Sequence, residues 1–229
     1  MSAERIQVWD LPLRLFHWLL FGLVVAAIVS VKIGGTAMVW HGRFGHMIFG
    51  LIVFRIVWGV IGSDTARFTT FVRGPAAILD YLKGRWQGIG HNPLGALSVL
   101  ALLGVIGFQA TSGLFANDDI AFTGPLYRAV ASDVSGQLTG WHKRMEWVIY
   151  ALIALHVAAV LFYTLIRKDD LVGPMITGRK RVSSHRAEPT RGGGVIAFVV
   201  ALAIAGLAMW VSSGALLAPP PPPPASLGW

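Results

Sequence analysis

The sequence contains no cysteine. Disulfide bonds, iron–sulfur clusters held by thiolates and haem attached covalently through a C-x-x-C-H motif are therefore excluded. Charge is also scarce, because charged residues make up 13% of the 229 residues. Soluble domains usually carry about twice that fraction. Apolar residues make up 55% of the chain, and this composition predicts an integral membrane protein.

The apolar residues are grouped in five blocks, and each is long enough to cross a bilayer core, which takes about 20 residues. The blocks are about Leu11–Val31, His41–Ile61, Leu94–Phe115, Trp141–Ile166 and Val195–Leu217. We therefore predict an all-α membrane protein. The five blocks predict five transmembrane helices, of which the last is C-terminal.

The formal net charge of +8 could indicate nucleic-acid binding, but the basic residues lie between the apolar blocks. They concentrate before the first block, between the second and third, and between the fourth and fifth. Such a distribution orients a protein in a membrane, with its basic loops in the cytoplasm. We predict a multi-pass membrane protein with its N-terminus on the cytoplasmic side, its C-terminus on the opposite side, lipid as its surroundings and no nucleic-acid partner.

Two shorter segments carry further predictions. In the loop after the second block, Ile78, Leu79, Leu82 and Trp86 can share one face of a helix lying at the membrane surface. At the other end of the chain, Pro219–Pro224 is an uninterrupted proline run that favours a stiff polyproline II rod. Neither segment indicates an activity.

Histidines inside the apolar blocks are the chemically informative residues. In the fourth block His142 and His156 are fourteen residues apart. On a helix they point within about 40° of each other and lie about 21 Å apart along the axis. In alternating spans, His17 lies at the inner depth of His156, and His41 at the outer depth of His142. The sequence therefore predicts two bis-histidine sites, one above the other, inside the bundle.

Arg55 repeats the same spacing, since it follows His41 by fourteen residues. It is therefore expected to face as His41 does, but at the inner level. A buried arginine in a membrane normally has an anionic partner. A haem propionate would supply that charge.

Two imidazoles at one depth match the two axial positions of haem iron, whereas zinc usually takes four ligands. Glycines of the third block would let a large planar group approach: Gly95, Gly104, Gly107 and Gly113. Histidines that only support packing are the alternative interpretation. His46 remains an alternative ligand to His41, or a group that supports one.

The chain resembles the bacterial cytochrome b561 family, close to the b-type cytochrome subunits of nickel–iron hydrogenases. The matching segments are "VWDLPLRLFHWLL", "WHGRFGHMIFGLIVFRIVWGVIG", "HNPLGALSVLALL" and "WHKRMEWVIYALIALHVAAVLFY". The resemblance implies two non-covalent b haems, with iron held by His17 and His156 at the inner site and by His41 and His142 at the outer site.

The resemblance further implies a four-helix transmembrane bundle in the bacterial inner membrane, to which the fifth, C-terminal transmembrane helix of this chain is an addition. It also divides the chain into segments. Residues 1–180 would form the haem domain, 181–194 a cytoplasmic basic linker, 195–217 the extra transmembrane helix and 218–229 a periplasmic polyproline tail. Further candidate contacts to the cofactor lie near the ligands. Arg14 could bind an inner propionate, Lys143 and Arg144 could do so outside, and His91 could contact a propionate or a quinone.

The predicted function is electron transfer between the quinone pool and a periplasmic redox partner, such as a c-type cytochrome or a larger redox complex. One alternative is a superoxide oxidase, which passes electrons from superoxide to quinone and would need a cationic surface beside the outer haem. Another is a haem-free transporter that uses histidines as proton carriers.

Overall fold

The structure is a computed structural model that describes residues 3–86, 90–120, 122–183 and 190–218; the predicted proline rod lies outside these residues. The elements in chain order are β1 Ala3–Gln7, α1 Leu11–Ile33, α2 Met38–Ile61, α3 Phe68–Phe71, α4 Pro75–Leu82, α5 Pro93–Leu114, α6 Ser132–Leu161, α7 Val172–Thr177, β2 Arg179–Ser183 and α8 Gly194–Ser212. A 3₁₀ turn precedes α2, and a π-helical turn, Phe162–Ile166, continues α6.

Five of the described helices, namely α1, α2, α5, α6 and α8, are long and apolar enough to cross a membrane. They confirm the five predicted spans. With the π-helical turn counted as part of α6, several ends differ by one to three residues and two, described below, differ by more. Helix α6 begins at Ser132, nine residues before the predicted Trp141. Its polar first turns dock on the end of α5, because the Ser135 hydroxyl donates to the carbonyl of Phe115 at 2.7 Å.

Helix α8 ends at Ser212, before the predicted end at Leu217. The chain turns at Gly214, whose φ of +81° lies in the left-handed region that favours glycine. A Cβ at this position would lie 2.5 Å from the carbonyl oxygen of Pro125, so the turn is also tightly packed.

Side chains fix the starts of two spanning helices. Asp10 caps α1 by accepting a hydrogen bond from the backbone of Leu13 at 2.6 Å. Its other oxygen accepts from the Trp58 indole at 3.0 Å and from the Ser63 hydroxyl. Asn92 caps α5 by accepting a hydrogen bond from the backbone of Gly95 at 2.7 Å, and Pro93 follows as the first residue of the helix. Asp10 therefore ties the start of α1 to the end of α2.

Helix α2 is the centre of the bundle. It packs against α1, α5 and α8, whereas α6 packs mainly on α5. One apolar cluster joins α1, α2 and α8 around Trp58 and Ala201, and a second joins α1, α2 and α5 around Ile52 and Ala110. Helix α6 contributes to neither cluster, so its histidine-bearing side is left to face α1 and α2 across the bundle.

A two-stranded antiparallel sheet, not predicted from the sequence, joins the two halves of the chain. In its register Arg5 pairs with Arg181 and Gln7 with Arg179. We call the end of the bundle that carries this sheet the strand end; it includes residues 3–10, 62–86, 90–92, 167–183 and 190–193. The far end comprises residues 34–37, 115–120, 122–131 and 213–218.

The predicted surface helix is present at the strand end but is shorter than expected. Helix α4 ends at Leu82, and Leu79 and Leu82 are exposed on it. The prediction for Trp86 was wrong, because this residue lies beyond the helix, where the Arg73 guanidinium stacks over its ring at 5.3 Å. Gly84, with φ at +73°, interrupts the chain before the helix could reach Trp86.

Candidate cofactor site

Two histidine pairs face each other between α6 and the first two spans. Toward the far end, the ring centres of His41 and His142 are 6.0 Å apart. His41 donates through Nδ1 to the Ala27 carbonyl at 2.9 Å, and His142 donates through Nδ1 to the Gln109 carbonyl at 2.9 Å. A hydrogen bond from one ring nitrogen to a carbonyl leaves the other nitrogen free to bind a metal, which is the usual arrangement of metal-bound histidines. We call this the far pair.

His17 and His156 form the near pair, toward the strand end. Their ring centres are 6.5 Å apart. Nδ1 of His17 is buried and has no hydrogen-bond partner among the described residues. A buried polar nitrogen without a partner costs free energy in the protein alone. This cost is consistent with a site that a further group completes.

The separation within each pair fits one metal ion between two imidazoles. Ligand nitrogens at about 2 Å from an ion place the two ring centres about 6 Å apart. Within the described residues no cluster of three or more histidine, cysteine or acidic side chains is present. Each pair therefore offers two imidazole ligands, and a group such as haem would supply the remaining ones.

Glycine makes the far pair possible. A Cβ on Gly113 of α5 would lie 2.9 Å from Cε1 of His142, which is closer than real Cβ atoms approach other atoms. Gly45, one turn after His41, has a different setting, because a Cβ there would meet no atom within 4 Å. Of the glycines predicted to admit a cofactor, Gly113 directly accommodates a histidine of the pair.

Arg55 is 1% exposed, and both of its terminal nitrogens lack a hydrogen-bond partner among the described residues. Its guanidinium carbon lies 4.7 Å from the ring centre of Phe68 and 5.9 Å from that of Phe71. Aromatic faces stabilise a cation only partly and leave its N–H donors unused. Arg55 thus fits the prediction of a buried cation that needs an anion such as a carboxylate.

His91 shares an aromatic neighbour with Arg55. The His91 ring lies 4.6 Å from that of Phe71 and 4.5 Å from that of Trp9. Its Nδ1 is buried without a described partner. Burial, followed by the positive charge of Arg55, lowers the pKa of His91 to about 3. His91 is therefore neutral at physiological pH and can donate or accept one hydrogen bond.

The structure gives other contacts or solvent exposure to the three cations that were predicted to lie near the haems. Arg14 donates from Nη1 to the Ile176 carbonyl at 2.6 Å, so it holds α7 at the strand end. Arg144 stacks over Trp141 at 5.6 Å and is exposed, as Lys143 is. The predicted role of these three cations concerns propionates rather than the histidines, and it stays a prediction.

His46 faces away from the histidine pairs. Its Nε2 donates to the Met209 carbonyl at 3.0 Å and lies 2.9 Å from the Ser212 hydroxyl. Both partners belong to α8, which packs on α2. His46 is thus engaged by the fifth helix, and this contact distinguishes it from His41.

One polar cluster near the far pair was missed from the sequence. Lys32, at the end of α1, forms an ion pair with Glu146 at 2.5 Å. Glu146 also accepts a hydrogen bond from Tyr150. Glu146 follows His142 by one helical turn, so the pair connects α1 to α6 beside the far histidines. The spacing of four between His142 and Glu146 was a signal that could have found it.

We expect opposite effects from removing the two charges. Glu146→Gln removes a negative charge one turn from His142 and should raise the far-site midpoint potential, whereas Lys32→Met should lower it. Each shift should be on the order of tens of millivolts, since about 59 mV corresponds to tenfold in a one-electron equilibrium. Redox titration followed at the haem bands measures both, with Lys83→Met at the strand end as the control. Shifts of the same sign would contradict an electrostatic role.

Facing histidine pairs lie in a helical membrane protein that also has a buried arginine whose two terminal nitrogens have no hydrogen-bond partner among the described residues. This is the donor set of a membrane b-type cytochrome. The comparison with known families agrees. Residues 8–178 match the family described as prokaryotic cytochrome b561. The chain belongs to this family, and it is a multi-pass membrane protein that binds haem b and transfers electrons.

Individual relatives are distant but cover most of the chain. A probable Ni/Fe-hydrogenase B-type cytochrome subunit from Azotobacter chroococcum mcd 1 is 23% identical over 82% of this chain and 93% of its own length. The corresponding protein of Rhodobacter capsulatus is 24% identical over 80% and 84%. The probable Ni/Fe-hydrogenase 1 B-type cytochrome subunit of Escherichia coli (strain K12) is 22% identical over 78% and 91%. No solved structure matches the chain significantly.

Proposed function

We propose that the chain carries electrons between the quinone pool and a redox partner through two b haems. His17 and His156 would hold one haem, and His41 and His142 the other. One observation carries this proposal. Each of the two histidines of helix α6 faces a histidine of another helix, with ring centres no more than 6.5 Å apart. When bound, haem iron supplies reversible one-electron transfer. Two haems at two depths would divide the electron's path across the hydrocarbon core into shorter steps.

The protein groups have separate tasks in this proposal. The carbonyls of Ala27 and Gln109 fix the far imidazoles in one tautomer. Arg55 would bind a propionate of the near haem and raise its potential, because a buried cation favours the electron-rich reduced state. The aromatic side chains around Arg55 keep water from this charge.

The quinone would bind at the strand end, next to the near haem. Support comes from His91, which is neutral, lies between Trp9 and Phe71, and has a buried nitrogen without a described partner. A quinone oxygen is a suitable partner for an N–H donor in such a setting. This placement makes His91 a residue that binds quinone rather than haem.

The strand end would lie in the cytoplasm and the far end in the periplasm, as the distribution of basic residues predicts. The partner on the periplasmic side would be a larger redox complex or a c-type cytochrome. The names of the relatives favour a complex, since they describe cytochrome subunits of hydrogenases. The segments proposed are the haem domain, 1–180, the basic linker, 181–194, the additional helix, 195–217, and the tail, 218–229.

Anaerobic reduction of the purified, haem-loaded chain by quinol tests this function. We expect reduced haem bands within seconds, and His91→Phe should slow the reduction at least about tenfold while the haem content stays unchanged. His46→Phe is the matched control, since His46 faces α8. Haem that is reduced by superoxide but not by quinol would contradict the proposal and favour the superoxide oxidase alternative.

A further inference from the structure

Three arginines share one exposed face of the β1–β2 sheet. In the register Arg5 stands opposite Arg181, and Arg179 stands opposite Gln7. Because side chains alternate along a strand, Arg5, Gln7, Arg179 and Arg181 project from the same face. All four are exposed. We call this face the arginine face.

The two faces of the sheet differ in their partners. On the opposite face Ile6 is buried in the apolar cluster of α1, α2 and α8, and Lys180 pairs with Asp169 at 2.6 Å. Within the described part of the chain, none of the three arginines on the arginine face forms an ion pair. Like charges directly opposite each other destabilise a strand pair. The placement of Arg5 against Arg181 is therefore unfavourable unless an anion lies between them.

The sheet lies close to the bilayer surface. Gln7 is four positions before Leu11, where α1 begins, so the strand ends within about 14 Å of a spanning helix. Helix α7, which leads into β2, exposes Ile176 at 57% and Val172 at 39%. Exposed apolar side chains beside basic ones are typical of segments that lie among lipid headgroups.

We propose that the arginine face binds the phosphate groups of anionic phospholipids in the leaflet at the strand end. Guanidinium groups match phosphate oxygens in a two-pronged geometry, so a phosphate shared by Arg5 and Arg181 converts their repulsion into a bridge. The general excess of basic residues beside spans explains how many charges lie at this end. It does not explain why two of them face each other across a strand pair. This site is independent of the electron-transfer proposal.

Thermal unfolding of the full haem-loaded chain in a non-ionic detergent tests the site, with added phosphatidylglycerol compared with phosphatidylcholine. Phosphatidylglycerol should raise the Tm by about 2–4 °C for each arginine engaged. Without anionic lipid, Arg181→Gln should be at least as stable as the native chain, because the repulsion between the two arginines is gone. With phosphatidylglycerol, the variant should lose half or more of the rise in Tm. Lys83→Gln, an exposed cation at the same end outside the sheet, should respond as the native chain does.

A second variant and a second readout guard against a folding defect. Arg5→Gln should reduce the response in the same way, and native mass spectrometry should show fewer phosphatidylglycerol molecules retained by both variants. Equal lipid responses in the native chain and both variants would overturn the proposal. An equal rise in Tm with inorganic phosphate would also overturn it, because that result indicates a site for free anions. A rise in Tm with polyglutamate but not with phosphatidylglycerol would overturn it as well, because that result indicates an acidic protein partner.

Discussion

Replacing His41 by alanine is expected to remove the far haem and halve the haem content of the chain. The reason is that the His41 ring faces His142 at 6.0 Å with its Nδ1 already bonded to Ala27, so the other nitrogen is the one available to iron. An iron that loses one of two protein ligands is held by a single imidazole in a site built for two. Haem determination by the pyridine haemochrome method, relative to protein, measures the loss.

His46→Ala is the matched control for this experiment, since His46 lies five residues further along the same helix. We expect both haems to remain, because the His46 ring contacts Met209 and Ser212 of α8 instead. The variant should lower the free energy of unfolding by about 1–3 kcal/mol, as expected when a half-buried hydrogen-bond partner is removed. Loss of haem from His46→Ala with retention in His41→Ala would reverse the assignment.

Arg55→Leu is expected to weaken haem binding at the near site and to lower the midpoint potential of the near haem by on the order of 50 mV. About 59 mV corresponds to a tenfold change in a one-electron equilibrium constant. A propionate that loses its buried cation must find another partner or become protonated. Arg55→Lys should recover part of the potential because it keeps the charge, although it has fewer donors. Redox titration of the near haem measures the shift.

Arg43→Leu provides the control for Arg55, since Arg43 is an exposed arginine of the same helix that stacks over Trp40 at 4.8 Å. It should leave the near potential unchanged. An unchanged near potential in Arg55→Leu as well would show that the unpaired guanidinium does not serve the cofactor.

The helix count and the pairing of histidines by depth could be predicted because both depend on simple geometry. Long apolar runs define the spans, and successive spans run in opposite directions. With 1.5 Å of rise per residue, these directions place His17 level with His156 and His41 level with His142. The structure brings these residues together as the spacing predicts.

The choice between His41 and His46 needed the structure, because the contact that engages His46 comes from α8. That helix is apolar on all sides, so its sequence does not indicate which face of the bundle it covers. The same limit applies to Arg14. Its partner, the Ile176 carbonyl, lies 162 residues further along the chain, and a backbone acceptor leaves no signature in the sequence.

The sheet and the Asp10 network were missed for a related reason. The two strands have five residues each, AERIQ and RKRVS, and contain no apolar run to mark them. Their pairing joins positions far apart in the chain. Asp10 lies in one of the segments that carry the family resemblance, but only the structure shows its hydrogen bonds to Trp58 and Ser63.

The ratio of haem to protein in the purified chain, before and after acid–acetone extraction, tests whether the two histidine pairs are two haem sites. We expect two haems per chain, all extractable, because two facing pairs are present and the sequence has no cysteine to form a thioether bond. One haem per chain, or haem that stays with the protein after extraction, would contradict the two-site assignment.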